Sequence, residues 1–206
     1  MRTSRLLNLP MLLTWARIAM IPFLVAVYYF PDAWIVPTHK NVLACAIFTV
    51  AAITDAFDGY FARRYSMTSR LGAFLDPVAD KLMVCAALIV LLELGRVNAL
   101  VALTIIGREI AVSALREWMA QIGASHNVAV NWMGKFKTIA QMIAIPVLLF
   151  HDPLFGIVPV RPLGTVLLYG AALLTIYSML MYLRLAWPHL AATTAAPGDA
   201  GDPPGL

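Results

Sequence analysis

The sequence predicts an all-α, polytopic membrane protein with six transmembrane helices and a short interfacial segment ahead of the first. Three observations lead there. Of the 206 residues, 61% are hydrophobic and 13% charged, about half the charged share of an ordinary soluble domain. The apolar runs are long enough to cross a bilayer as helices. They do not alternate apolar with polar residues, as membrane-spanning strands would.

The first span covers residues 12–30. Arg2 and Arg5 before an apolar run resemble a signal peptide, but Trp15 and Arg17 interrupt the run, Pro22 sits inside it, and no small-residue cleavage site precedes Pro31. This segment is therefore expected to be a retained helix. The second span is 42–61 and the third 76–94; the short loop between them makes them antiparallel neighbours. The fourth is 99–121. The fifth, 134–150, is kinked at Pro146, and the sixth is 163–187. The final stretch, 191–206, is rich in Ala, Pro, Gly and Thr and has no apolar period, so it is expected to be a disordered tail behind one membrane domain, 1–190.

An even number of spans puts both termini on one side. Of the 15 Lys and Arg residues, only Lys40, Arg96 and Arg161 fall on the other side. The positive-inside rule makes the basic side cytoplasmic. The net charge of +4 reads as loop anchoring and contact with anionic membrane lipid, not as a nucleic-acid surface. Cys45 and Cys85 lie inside apolar runs and suggest neither a disulfide nor a zinc site. The five Trp residues fall near span ends, as an interfacial belt does, and His39, His126, His151 and His189 show no ligand spacing.

Four aspartates stand out: Asp55, Asp58, Asp76 and Asp80. Carboxylates in apolar surroundings are costly unless neutralised, and four together repel. Asp55 and Asp58 are three apart and Asp76 and Asp80 four apart, so each pair shares a helix face. Two antiparallel helices can aim both pairs at one point. Hard oxygen donors of this kind suit Mg²⁺ or Mn²⁺. Four carboxylates can hold two such ions, a device that clamps a reacting phosphate. Gly59, Ala62 and Gly72 sit beside the aspartates; small residues there allow either a ligand's close approach or tight helix packing.

The pattern Asp55-x-x-Asp58-Gly59-x-x-Ala62-Arg63, eight residues, then Gly72-x-x-x-Asp76-x-x-x-Asp80 fills every position of the signature of the CDP-alcohol phosphotransferase family. The resemblance implies displacement of CMP from a CDP-linked lipid or alcohol by a second alcohol. It implies two divalent cations, Mg²⁺ or Mn²⁺, held by Asp55, Asp58, Asp76 and Asp80, with Asp80 also the general base. It places Asp58, Gly59, Ala62, Arg63 and Gly72 at the cytidine nucleotide, and it implies a homodimer. Thr14 and Arg17, at the cytoplasmic start of the first span, are candidates to line the nucleotide site.

The signature does not choose the acceptor alcohol. In the fourth span Arg108 and Glu109 lie deep in an apolar run, and Arg116 follows Arg108 by eight residues, close to the same helix face. They could be a structural ion pair or snorkelling side chains. With Lys135 and Lys137 opening the fifth span, they make a basic pocket suited to a phosphate monoester. The stretches Asn8-Leu9-Pro10 with Thr14 and Arg17, Leu75 to Lys81, Gly107-Arg108-Glu109 through Arg116, and Gly134-Lys135-x-Lys137-Thr138 resemble the family's bacterial phosphatidylglycerophosphate synthases. That resemblance implies CDP-diacylglycerol and sn-glycerol 3-phosphate as substrates, at a bacterial inner membrane. Alternatives are inositol phosphate or a phosphatidylglycerol as acceptor. A reading of another class, a divalent-cation transporter, fits less well: no internal repeat accompanies the acids.

Overall fold

The computed structural model describes residues 9–65, 70–122, 132–153 and 156–194. Within these helices, the side chains of 9–10, 56, 58–65, 70–71, 73, 132–135 and 188–194 are outside the description. Six helices follow in chain order: α1 (Leu9–Tyr29), α2 (Pro37–Tyr65), α3 (Arg70–Glu93), α4 (Ala99–Gln121), α5 (Trp132–Phe150) and α6 (Val160–Thr194). No sheet occurs among the described residues. The expected interfacial segment before α1 lies outside them. α6 runs to Thr194, so the helix enters the segment expected to be a disordered tail; the remainder lies outside the described residues.

α4 begins and ends where its apolar run does. α2 and α3 are longer than their apolar runs, because backbone hydrogen bonding continues into the polar ends that hydropathy discards. Two stretches are apolar and long enough to span a membrane, Met11–Tyr29 and Val160–Trp187; a shorter apolar stretch is Phe136–Phe150. α3 and α4 carry Asp76, Asp80 and Lys81, and Arg108, Glu109 and Arg116, which lower their hydropathy.

The bundle is oily outside as well as inside. Leu24, Phe48, Leu88, Leu91, Ile145 and Leu148 are fully buried, while Phe23, Leu100, Leu103, Val166 and Leu173 are 65% exposed or more. An exposed apolar surface of that breadth needs an apolar environment. α5 and α6 pack most extensively, and Gly164 lies tight between them: a Cβ there would lie 2.9–3.0 Å from Leu148 and Val147 side-chain atoms. α1 packs along both α2 and α3, which touch each other only sparingly. The two aspartate-bearing helices are thus held together largely through α1, not by direct packing between them.

One end of the bundle is closed by a polar latch. α3 stops in a Schellman turn: Gly95 N donates to Leu92 O at 3.0 Å and Arg96 N to Leu91 O at 2.9 Å, with Gly95 at φ +65°. Glycine suits that left-handed position. The turn throws Arg96 across to α5, where Nη1 donates to the carbonyls of Leu149 (2.7 Å) and Leu148 (3.1 Å), two of the terminal acceptors a helix leaves unpaired. Arg96 Nη2 donates to Asn41 Oδ1 at 2.6 Å, and Asn41 Nδ2 donates to Asp152 at 3.0 Å. Lys40 donates to Asp32 at 2.6 Å and to the carbonyl of Phe30. Asn98 then caps α4 by accepting from Leu100 N at 2.8 Å. The latch gathers the end of α1, the start of α2 and the ends of α3 and α5, which sets the up-and-down order of these helices.

Candidate functional site

The start of α1, the second half of α2 and the start of α3 meet at the opposite end. Thr14 and Arg17 are three apart on α1 and share a face; each is 1% exposed. Arg17 Nη1 lies 2.7 Å from Asp55 Oδ1 on α2. Thr14 Oγ1 donates to Asp76 Oδ1 on α3. Asp80, one turn beyond Asp76, is partly buried, and the charges of Asp55 and Glu109 both act on it across helix boundaries. α1 thus holds Asp55 and Asp76 from one polar face, and Asp80 lies one turn beyond Asp76 within reach of the Asp55 charge. Beside any cation, the buried guanidinium of Arg17 neutralises part of the acidic charge.

The expected metal ligands are Asp55, Asp58, Asp76 and Asp80. Asp58, like Gly59, Ala62 and Arg63, lies in the helical stretch of α2 whose side chains are outside the description. Among the described residues no group of three acidic, His or Cys side chains is close enough to hold an ion. The donor chemistry nevertheless fits a hard divalent cation, since all the candidates are carboxylate oxygens. The contacts to Arg17 and Thr14 use Oδ1 of Asp55 and Asp76, so each carboxylate keeps a second oxygen for a cation. Gly72 is buried near the start of α3.

The second half of the site lies among α4, α5 and α6. Arg108 and Lys137 are 7% and 2% exposed. Glu109 joins them: its Oε1 accepts from Lys137 Nζ and lies 3.3 Å from Arg108 Nη1. Arg108 Nη2 donates to Ser178 Oγ at 2.9 Å, and Ser178 in turn donates to the carbonyl of Thr175 at 3.0 Å. Arg108 Nε is buried without a partner among the described residues. Two turns along α4, Arg116 Nη2 donates to Tyr182 Oη at 2.7 Å with its guanidinium 5.0 Å from the ring centre. The charges of Arg108 and Arg116 both reach Lys137. Two of the four expected phosphate ligands, Arg108 and Lys137, thus meet at Glu109, Arg116 stands two turns along α4 against Tyr182, and the Lys135 side chain lies outside the description.

A cavity of about 90 Å³ connects the halves, with Asp80 on one wall and Glu109, Thr138 and Gln141 on the others. Sequence reasoning did not single out Gln141, Ser178 or Tyr182. Their signal was present: Gln141 follows Lys137 by four residues, and Ser178 and Tyr182 are four apart in an apolar helix, so each pair shares a face.

Comparison with known proteins fits this geometry. The sequence model of the CDP-alcohol phosphatidyltransferase family matches residues 7–185. A Salmonella choleraesuis protein named CDP-diacylglycerol–glycerol-3-phosphate 3-phosphatidyltransferase is 48% identical over 87% of this chain and 94% of its own length. Proteins of the same name from Pectobacterium atrosepticum and Shigella flexneri are 49% and 47% identical, with the same coverage. The aspartate signature and a match across most of the chain agree: this protein belongs to the CDP-alcohol phosphatidyltransferase family.

Proposed function

We propose that the chain transfers the phosphatidyl group of CDP-diacylglycerol to sn-glycerol 3-phosphate, giving phosphatidylglycerol phosphate and CMP. The observation that carries the reading is the buried basic cluster of Arg108 and Lys137, tied by Glu109, which itself lines the cavity that holds Asp80. Its chemistry suits an acceptor carrying both a phosphate and a hydroxyl. The Arg108 guanidinium brings a donor, Nε, that no described protein group satisfies. The names of the similar proteins point the same way.

In this reading Arg108, Arg116, Lys135 and Lys137 hold the acceptor phosphate, and the acceptor's terminal hydroxyl lies against Asp80. Its oxygen attacks the phosphatidyl phosphorus as the bond from that phosphorus to the CMP oxygen breaks. The hydroxyl proton passes to Asp80. CMP departs with the bonding electrons. Two divalent cations held by Asp55, Asp58, Asp76 and Asp80 would neutralise the charge on the pyrophosphate and improve the leaving group. Arg17 and Thr14 orient Asp55 and Asp76. Asp58, Gly59, Ala62, Arg63 and Gly72, with Thr14, border the nucleotide. All six helices cross the membrane with both termini cytoplasmic, and the protein works as a homodimer in the inner membrane. The apolar outer surface supports a lipid setting.

The test supplies purified protein with CDP-diacylglycerol, Mg²⁺ or Mn²⁺ and one acceptor at a time, and measures CMP. Release with glycerol 3-phosphate is expected. Release only with inositol phosphate or phosphatidylglycerol would overturn the acceptor, and none with any alcohol would overturn the reaction.

A further inference from the structure

One wall of the cavity between Asp80 and Glu109 has no task in that chemistry. Gln141 lies one turn after Lys137 on α5, is 5% exposed and lines the cavity. No hydrogen bond of its carboxamide is seen among the described residues. A primary amide offers two donors and a carbonyl acceptor, and on a cavity wall these are open to a bound hydroxyl. The polar groups beside it differ: Lys137 is engaged by Glu109, and Asp80 faces the aspartate cluster. Gln141 is the buried neutral hydrogen-bonding group that stands between the proton-accepting carboxylate and the basic cluster.

We infer that Gln141 reads the middle hydroxyl of the acceptor and makes the site specific for a phosphorylated 1,2-diol. The inference rests on the proposed acceptor. With the attacking hydroxyl at Asp80 and the phosphate at Arg108 and Lys137, the carbon between them runs along the wall that Gln141 and Glu109 form. A hydroxyl there donates to the Gln141 carbonyl or Glu109 and accepts from the Gln141 amide. Such a contact satisfies both partners, and a site built for it disfavours an analogue that leaves its polar groups unpaired.

The experiment measures CMP release by the full chain with glycerol 3-phosphate and with 3-hydroxypropyl phosphate, which lacks only the middle hydroxyl. Wild type is expected to favour glycerol 3-phosphate by about 10-fold or more in kcat/KM, the loss expected when one buried hydrogen bond goes unmade. Gln141→Leu, and the more nearly isosteric Gln141→Met, should lose that factor for glycerol 3-phosphate and keep the analogue's value, so that the preference collapses. A wild type that uses both acceptors equally would overturn the inference. So would variants that slow both acceptors by the same factor, since that is the mark of a purely structural role or of an amide satisfied by trapped water. Wild type inactive with both acceptors would overturn the acceptor reading beneath it, a distinguishable result.

Discussion

Replacing Arg108 with alanine separates the two substrates. The guanidinium donates to Ser178 at 2.9 Å, lies 3.3 Å from Glu109 and carries a buried Nε without a partner among the described residues. Truncation leaves Glu109 paired with Lys137, and Ser178 keeps its bond to the Thr175 carbonyl, so the surrounding network survives. On the proposed function, what is lost is a charge-assisted contact to the acceptor phosphate. Such a contact contributes about 1.5–3 kcal/mol, which is roughly 10- to 150-fold in affinity. The KM for glycerol 3-phosphate should rise by about that factor, while the KM for CDP-diacylglycerol stays close to its wild-type value. Each substrate is varied with the other saturating, and CMP release is followed. Arg108→Lys, which keeps the charge and loses the fork, should fall between wild type and alanine. If both KM values rise together, or kcat falls with neither KM altered, the residue does not bind the acceptor.

Four further outcomes follow from the same geometry. Asp80→Asn should lower kcat by about 10²–10⁴-fold, the usual weight of a general base, with KM for the acceptor little changed; near wild-type turnover would remove Asp80 from proton transfer. Chelation with EDTA should stop CMP release and added Mg²⁺ or Mn²⁺ restore it, whereas chelator-resistant turnover would contradict a metal role for the aspartates. Lys137→Met alone leaves Glu109 with a weaker partner in a buried setting and should lower the thermal midpoint; adding Glu109→Gln should recover part of the loss, because breaking one side of a buried pair costs more than replacing both. Gly95→Ala should cost about 1–2 kcal/mol, the penalty of a side chain in left-handed backbone, since a Cβ there meets nothing within 4 Å; an unchanged midpoint with unaltered kinetics would show that the Schellman turn does not need glycine.

Much of this protein is written in local pattern, and what is not depends on contacts between distant segments. The bounds of α4 follow from an apolar run that begins at an Asn cap and ends with the helix. The aspartate pairs are legible because three- and four-residue spacings fix a helix face. The role of α1 is not legible in the same way. Nothing local says that Thr14 reaches Asp76, 62 residues on, or that Arg17 meets Asp55. Short linkage suggested that α2 and α3 pack directly, yet α1 does most of the bridging. Arg96 read as a loop charge on the sparsely basic side, but it ties α3 to the terminal carbonyls of α5. Glu109 read as one half of an Arg108 pair; its stronger tie is to Lys137 on another helix, 28 residues away. Gln141 shares a helix face with Lys137, but that spacing alone does not tell a packing amide from one that lines a cavity.

The most direct test of the central claim follows labelled glycerol 3-phosphate. Purified protein receives CDP-diacylglycerol, Mg²⁺ and glycerol 3-phosphate labelled in its glycerol carbon, and the lipid phase is extracted. Label is expected to enter the lipid phase in a one-to-one ratio with CMP released, and EDTA or Asp80→Asn to suppress both together. CMP released while the label stays in water would show that the phosphatidyl group goes to another acceptor, and the assignment of Arg108, Arg116, Lys135 and Lys137 to the acceptor phosphate would fall with it.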